Sequence, residues 1–149
     1  MLAYNTKGGD VTEVLAKLEK LRKADARLEL SHEPSSTSKA ANLNAALPLT
    51  EPYELTLILD ADHHTETEAI ARLVWALRKA PKTTVCMQGA VLVRGDSCWE
   101  LALTTLNWYF FSILFPGVQM MSGTAMFAGA GAIWDSKTLR DFAFTDGML

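Results

Sequence analysis

A chain of 149 residues with 49% hydrophobic and 21% charged side chains can bury a core and is too apolar for a disordered segment. Its net charge of −3 excludes an electrostatic grip on nucleic acid as the main role. Two cysteines, Cys86 and Cys98, cannot form a disulfide framework, and with only three histidines a structural zinc centre is not expected.

In chain order, Met1 to Tyr4 reads as the tail of a strand. Asp10 and Glu13 then have the spacing of a capping box, and Val11, Val14, Leu15, Leu18 and Leu21 follow at helical period. Arg27 to Leu30 alternates like a short half-buried strand, and residues 32–38 form a polar loop that leads to Lys39. Lys39 to Leu47 reads as a short helix ended by Pro48. Glu54 to Asp60 is the central apolar strand.

Thr65 and Glu68 form a second potential capping box, with Ile70, Leu73, Val74 and Leu77 on one face of the helix behind it. Thr83 to Val93 reads as a strand and Trp99 to Phe115 as an aromatic-rich helix. Residues 124–134 alternate small and large side chains, and Ser136 to Phe142 predicts a last helix. Strands alternating with helices predict a layered α/β fold with a mostly parallel sheet, in a single domain over residues 1–149.

Charge is uneven. Residues 1–80 hold ten of the 14 Lys and Arg, while Leu101 to Trp134 contains no Asp, Glu, Lys, Arg or His. Buried core, a helix on a membrane surface, or a span would each explain that gap. A span needs about 20 consecutive apolar residues. The run from Leu101 meets Pro116-Gly117 sooner and contains Thr104, Thr105, Asn107 and Ser112, which favours core or an interfacial helix.

The chemistry-bearing stretch is Asp60-Ala61-Asp62, at the end of Leu55-Thr56-Leu57-Ile58-Leu59. Two carboxylates one residue apart on a strand share a face, with Cα atoms about 6.5 Å apart. At the carboxyl end of an open sheet such a pair is a hard oxygen site suited to Mg²⁺ or Mn²⁺, with a phosphate supplying further ligands. A strand followed by an ordinary acidic turn explains the same residues without a ligand.

Three segments in this order resemble the family 2 glycosyltransferases, in particular the cellulose synthase and membrane polysaccharide synthase branch. Ser38 to Leu47 is similar to the family's Lys-Ala-Gly-Asn-Leu-Asn stretch. Leu57 to His63 resembles its strand and Asp-x-Asp motif, including the histidine that often follows. Gly129-Ala130-Gly131-Ala132-Ile133-Trp134 resembles its glycine-rich acceptor segment. The resemblance implies a GT-A-like three-layer sandwich, here a partial catalytic domain incomplete at both ends. The early loop Asn5 to Asp10 lacks the family's paired aspartates, Asp135-Ser136-Lys137 stands where basic residues are usual, and only Thr145-Asp146-Gly147 matches the Thr-Glu-Asp base motif.

The activity implied is metal-dependent, inverting sugar transfer from a nucleotide-diphosphate sugar, most simply a UDP-sugar, to a glycan or polysaccharide acceptor. In that assignment Asp62 binds the metal directly, and Asp60 orients donor ribose or metal-bound water. Lys39 and His63 contact the donor. Gly129, Gly131 and Trp134 face the acceptor, and Asp146 is the catalytic base. The resemblance further implies membrane association with the catalytic domain on the cytoplasmic side, through segments beyond this chain or the 101–115 region. Two rivals remain open: a haloacid-dehalogenase-like phosphatase, whose nucleophile would be Asp60, and a catalytically degenerate binding module of the same fold.

Overall fold

The computed structural model describes residues 1–4, 12–34, 36 and 38–146, with side-chain surroundings up to 143. The expected capping role of Asp10 and the loop before it lie outside the described residues. The chain divides into two compact units, Met1–Glu54 with Ser136–Leu149, and Leu55–Asp135.

In the first unit, β1 (Leu2–Tyr4) pairs in parallel with β2 (Leu30–His32), Leu2 opposite Leu30. The helix α1 (Thr12–Ala24) links them and buries none of its residues; its surface carries the exposed Lys17–Glu13 pair. The helix α2 (Lys39–Ala46) begins where the Ser38 hydroxyl accepts the Ala41 N–H at 3.1 Å, and it packs on both strands. As expected, Pro48 follows the end of the α-helix at Ala46. It opens a 3₁₀ turn, Leu47–Thr50, because its missing N–H is not needed in a first turn. The final helix α6 (Ser136–Asp146) packs on that turn, with Arg140 donating to the Thr50 hydroxyl at 3.0 Å. Ala46, Leu47, Leu139 and Ala143 form the buried apolar cluster of this unit.

The second unit holds β3 (Leu55–Ile58), α3 (Ala69–Lys79), β4 (Cys86–Gln88), α4 (Cys98–Tyr109), α5 (Phe115–Ser122) and β5 (Ala132–Asp135). The fold is mixed α/β, but its larger sheet is not the expected parallel one. Its order is β3-β5-β4, and both pairings are antiparallel, with Thr56 and Cys86 opposite Trp134 on either side. The expected β3-helix-β4 crossover does leave β3 and β4 pointing the same way, yet β5 returns between them and takes all their ladder bonds. Ile58, Ala130, Ala132 and Ile133 are the buried apolar residues, and α3 packs on β4 and β5.

Several boundaries differ from the sequence expectation. Thr83 to Val93 is strand only over three residues, β4. Thr65 and Glu68 do not cap α3; Glu68 instead pairs with Arg72 at 2.7 Å, one turn along the exposed surface. The aromatic helix passes through Pro116. A π-helical turn, Phe110–Leu114, joins α4 to α5, and the Phe115 N–H reaches back to the Phe110 carbonyl five residues earlier. The wider turn relieves the clash that a proline ring makes with the helix behind it. The helix therefore runs from Cys98 to Ser122, 25 residues, and stops at Gly123 in the left-handed region (φ 72°). None of its best apolar window is buried, so it is not a core helix. By length and composition it is long and apolar enough to cross a membrane.

Candidate metal and donor site

The ladder of β3 ends at Ile58, one residue before Leu59. The carboxylates are therefore not carried on a strand, as the alternation argument expected. They sit on a turn, closed where the His63 N–H donates to the Asp60 carbonyl at 3.0 Å. Aspartate favours such turns, and the turn does the converging that the strand was expected to do. One ligand atom from each of Asp60, Asp62 and His63 falls within a set whose members are all within 4.8 Å of one another.

Asp62 is exposed, while Asp60 and His63 are half-buried. The ring of His63 is held over the turn: its Nδ1 accepts a long bond from the Asp60 N–H at 3.5 Å, and its Nε2 lies 3.9 Å from the Asp60 carboxylate. Two carboxylates and one imidazole make a set of hard and borderline donors. That set fits Mg²⁺ or Mn²⁺, with the imidazole favouring manganese, and it leaves coordination positions for phosphate oxygens and water.

Asp62 and His63 form part of the wall of a groove of about 1360 Å³ within the second unit. Its other walls are α3 and residues 87–94, with Arg72 and Arg94 as the cationic groups and Leu73, Met87 and Val91 as apolar lining. Arg72 is engaged with Glu68 on α3. The groove is large enough for a nucleotide-sized ligand.

The glycine-rich stretch closes one side of this unit. Gly131 (φ 73°) donates to the Ile58 carbonyl at 2.8 Å and accepts from Gly89 N–H at 2.9 Å, which ties the end of β3 to β4. A Cβ at Gly131 would sit 3.0 Å from the Val91 side chain, so the position is closed to larger residues on two counts. Gly129 (φ 87°) is exposed and faces open space. Trp134 is half-buried on the central strand, edge-on to Phe127 with ring centroids 5.1 Å apart, and its buried indole Nε1 has no hydrogen-bond partner.

The remaining sequence-predicted residues belong to the first unit. Lys39 opens α2 and is exposed, and Asp146 is the last residue of α6. The structure thus brings Asp60, Asp62 and His63 together, and it places Gly131 and Trp134 in the same sheet. Two features escaped sequence reasoning. Gln88 grips the glycine-rich segment with both ends of its amide, donating to the Ala130 carbonyl at 3.0 Å and accepting the Ala128 N–H at 3.2 Å. On α2, the amide oxygens of Asn42 and Asn44 are buried and have no hydrogen-bond partner among the described residues. The Asn-Leu-Asn spelling was the only available signal for the second, and nothing local marks the first.

No family model, curated protein or solved structure matches this chain.

Proposed function

We propose that the chain is the donor-binding part of a metal-dependent, inverting glycosyltransferase of the GT-A-like, family 2 kind, acting on a nucleotide-diphosphate sugar at the cytoplasmic face of a membrane. The observation that carries this reading is the convergence of Asp60, Asp62 and His63, two of which, Asp62 and His63, line a nucleotide-sized groove. Such a cluster is what a diphosphate leaving group demands. As the glycosidic C–O bond breaks, charge gathers on the phosphate oxygens and must be neutralised where it develops.

In this reading Asp62 and His63 hold a divalent cation, and Asp60 completes the set or orients the donor ribose. The cation, when bound, supplies the positive charge that stabilises the departing diphosphate. The acceptor hydroxyl oxygen attacks the anomeric carbon from the face opposite the diphosphate, so the configuration inverts. Its proton passes to a base, for which Asp146 is the proposed residue. Gly129 and Gly131 admit the acceptor's approach to the backbone. Trp134 is assigned to stacking against an acceptor sugar ring, the role the resemblance implies. Lys39 is assigned to contact with the donor's base or phosphate, again from the resemblance.

Calorimetric titration of UDP tests this directly. UDP should bind with Mn²⁺ present, and binding should weaken at least about tenfold, or about 1.4 kcal/mol, on chelation or in Asp62→Ala. UDP affinity that is indifferent to both changes contradicts the reading.

A further inference from the structure

We propose that the helix Cys98–Ser122 lies flat in the headgroup region of a phospholipid bilayer, inserting one apolar side, and does not cross it. This deepens the membrane placement proposed above and is independent of sugar transfer.

Length alone permits a crossing. Twenty-five residues extend about 37 Å at 1.5 Å each, against a hydrocarbon core about 30 Å thick. Topology forbids it. The chain leaves the sheet at Gln88 and re-enters at Ala132, and these two residues are register partners in the β4–β5 ladder. The departing side is pinned further, because the Thr104 hydroxyl in the helix's second turn donates to the Val93 carbonyl at 2.8 Å. A crossing helix would end on the far side of the membrane and would need a return path. That path is residues 123–131, which hold no helix or strand and are exposed from 123 to 129. Irregular backbone of that kind does not occur facing hydrocarbon, since its N–H and C=O groups would lack partners. An excursion that starts and finishes at one place on one sheet can only lie along the surface.

The helix's two sides suit that position. Glu100, Thr104, Asn107, Phe111, Phe115 and Val118, spaced three or four residues apart, are half-buried. Trp99, Leu103, Leu106, Tyr109 and Ile113 form a separate stripe with the same spacing, all well exposed. Aromatic side chains with a polar edge are the groups that settle at headgroup depth. Two of the exposed hydroxyls bond back within the helix: Thr105 donates to the Leu101 carbonyl at 2.9 Å, and Ser122 to the Val118 carbonyl at 2.8 Å. From Leu101 to Trp134 there is no Asp, Glu, Lys, Arg or His, so no charged side chain at neutral pH. Attraction to lipid is therefore by apolar burial, and a zwitterionic surface suffices.

The test uses the whole chain and unilamellar vesicles of phosphatidylcholine alone, separated by flotation. Wild type should float equally at about 0.1 M and about 1 M NaCl, because no screened attraction is involved. Leu106→Glu with Ile113→Glu, both at exposed positions, should lower partitioning at least about tenfold while circular dichroism stays unchanged. In a Cys98→Ser background, nitroxides at Ala102→Cys and Met120→Cys should report the same depth; a crossing helix would separate them by about 27 Å. Unequal depths overturn the proposal. Flotation retained by the double-glutamate chain overturns it but leaves membrane placement standing through another segment. Absence of flotation by wild type removes both. Self-association without vesicles that the glutamates abolish would instead assign the stripe to a second copy of this chain, and also overturns the proposal.

Discussion

The side-chain amide of Gln88 is bonded at one end to the Ala130 carbonyl, 3.0 Å away, and at the other to the N–H two residues earlier, at Ala128. One residue of β4 thus fixes the conformation of a glycine-rich segment some 40 positions along the chain, just before that segment enters β5. Ala130 is almost fully buried, so its carbonyl has no recourse to water if the amide is removed.

Gln88→Leu should destabilise the chain by about 1–3 kcal/mol, the cost of stranding a buried carbonyl. Urea denaturation measures this, and amide exchange at Ala128 should accelerate in the same variant. An unchanged midpoint with unchanged exchange would mean that the segment holds its shape without Gln88.

The two glycines of that segment should respond differently to alanine. Gly129→Ala meets open space and carries only the penalty of a left-handed residue, about 1–2 kcal/mol. Gly131→Ala carries that penalty and also crowds Val91, so it should cost more. Adding Val91→Ala should recover part of the Gly131→Ala loss and none of the Gly129→Ala loss. Thermal unfolding of the four variants compares these directly.

Burial raises the Cys86 thiol from its ordinary value to about 11, while Cys98 is exposed at the start of the long helix. At pH 7.5 a maleimide should therefore modify one thiol per folded chain, at Cys98, and a second only on unfolding. The sign of the stability effect follows from the same shift. Between about pH 9 and 11 the unfolded chain has released this proton and the folded chain still holds it. Stability should fall as pH rises through that window and be insensitive to this group below it. Cys86→Ala should flatten the alkaline slope; the same slope in wild type and variant would assign the loss to other groups.

The amphipathic periods of α1 and α3 and the aromatic run before Pro116 were legible in the sequence, since each rests on local spacing. What nonlocal contacts decide was not. Strand direction is one example: nothing in Ala132 to Asp135 says that it will enter between β3 and β4 antiparallel to both. Pro116 is another. Read locally it ends a helix, but the turn Phe110–Leu114 widens to absorb it, and the helix gains seven residues beyond Phe115. Of the site, the Asp-x-Asp-His spelling located three groups that converge. The means was misread, because a turn at Asp60–His63 replaces the strand's alternation. The partners of Gln88 lie too far along the chain for any spacing rule to find.

The account rests most directly on the cation at Asp60, Asp62 and His63, and electron paramagnetic resonance of added Mn²⁺ reads it without any substrate. We expect one tightly held Mn²⁺ per chain with a nitrogen coupling from His63. Asp62→Ala should weaken binding at least about tenfold, and His63→Gln should abolish the nitrogen coupling. Mn²⁺ that stays in its free aqueous form with the wild-type chain, or binds equally well to Asp62→Ala, would contradict the account.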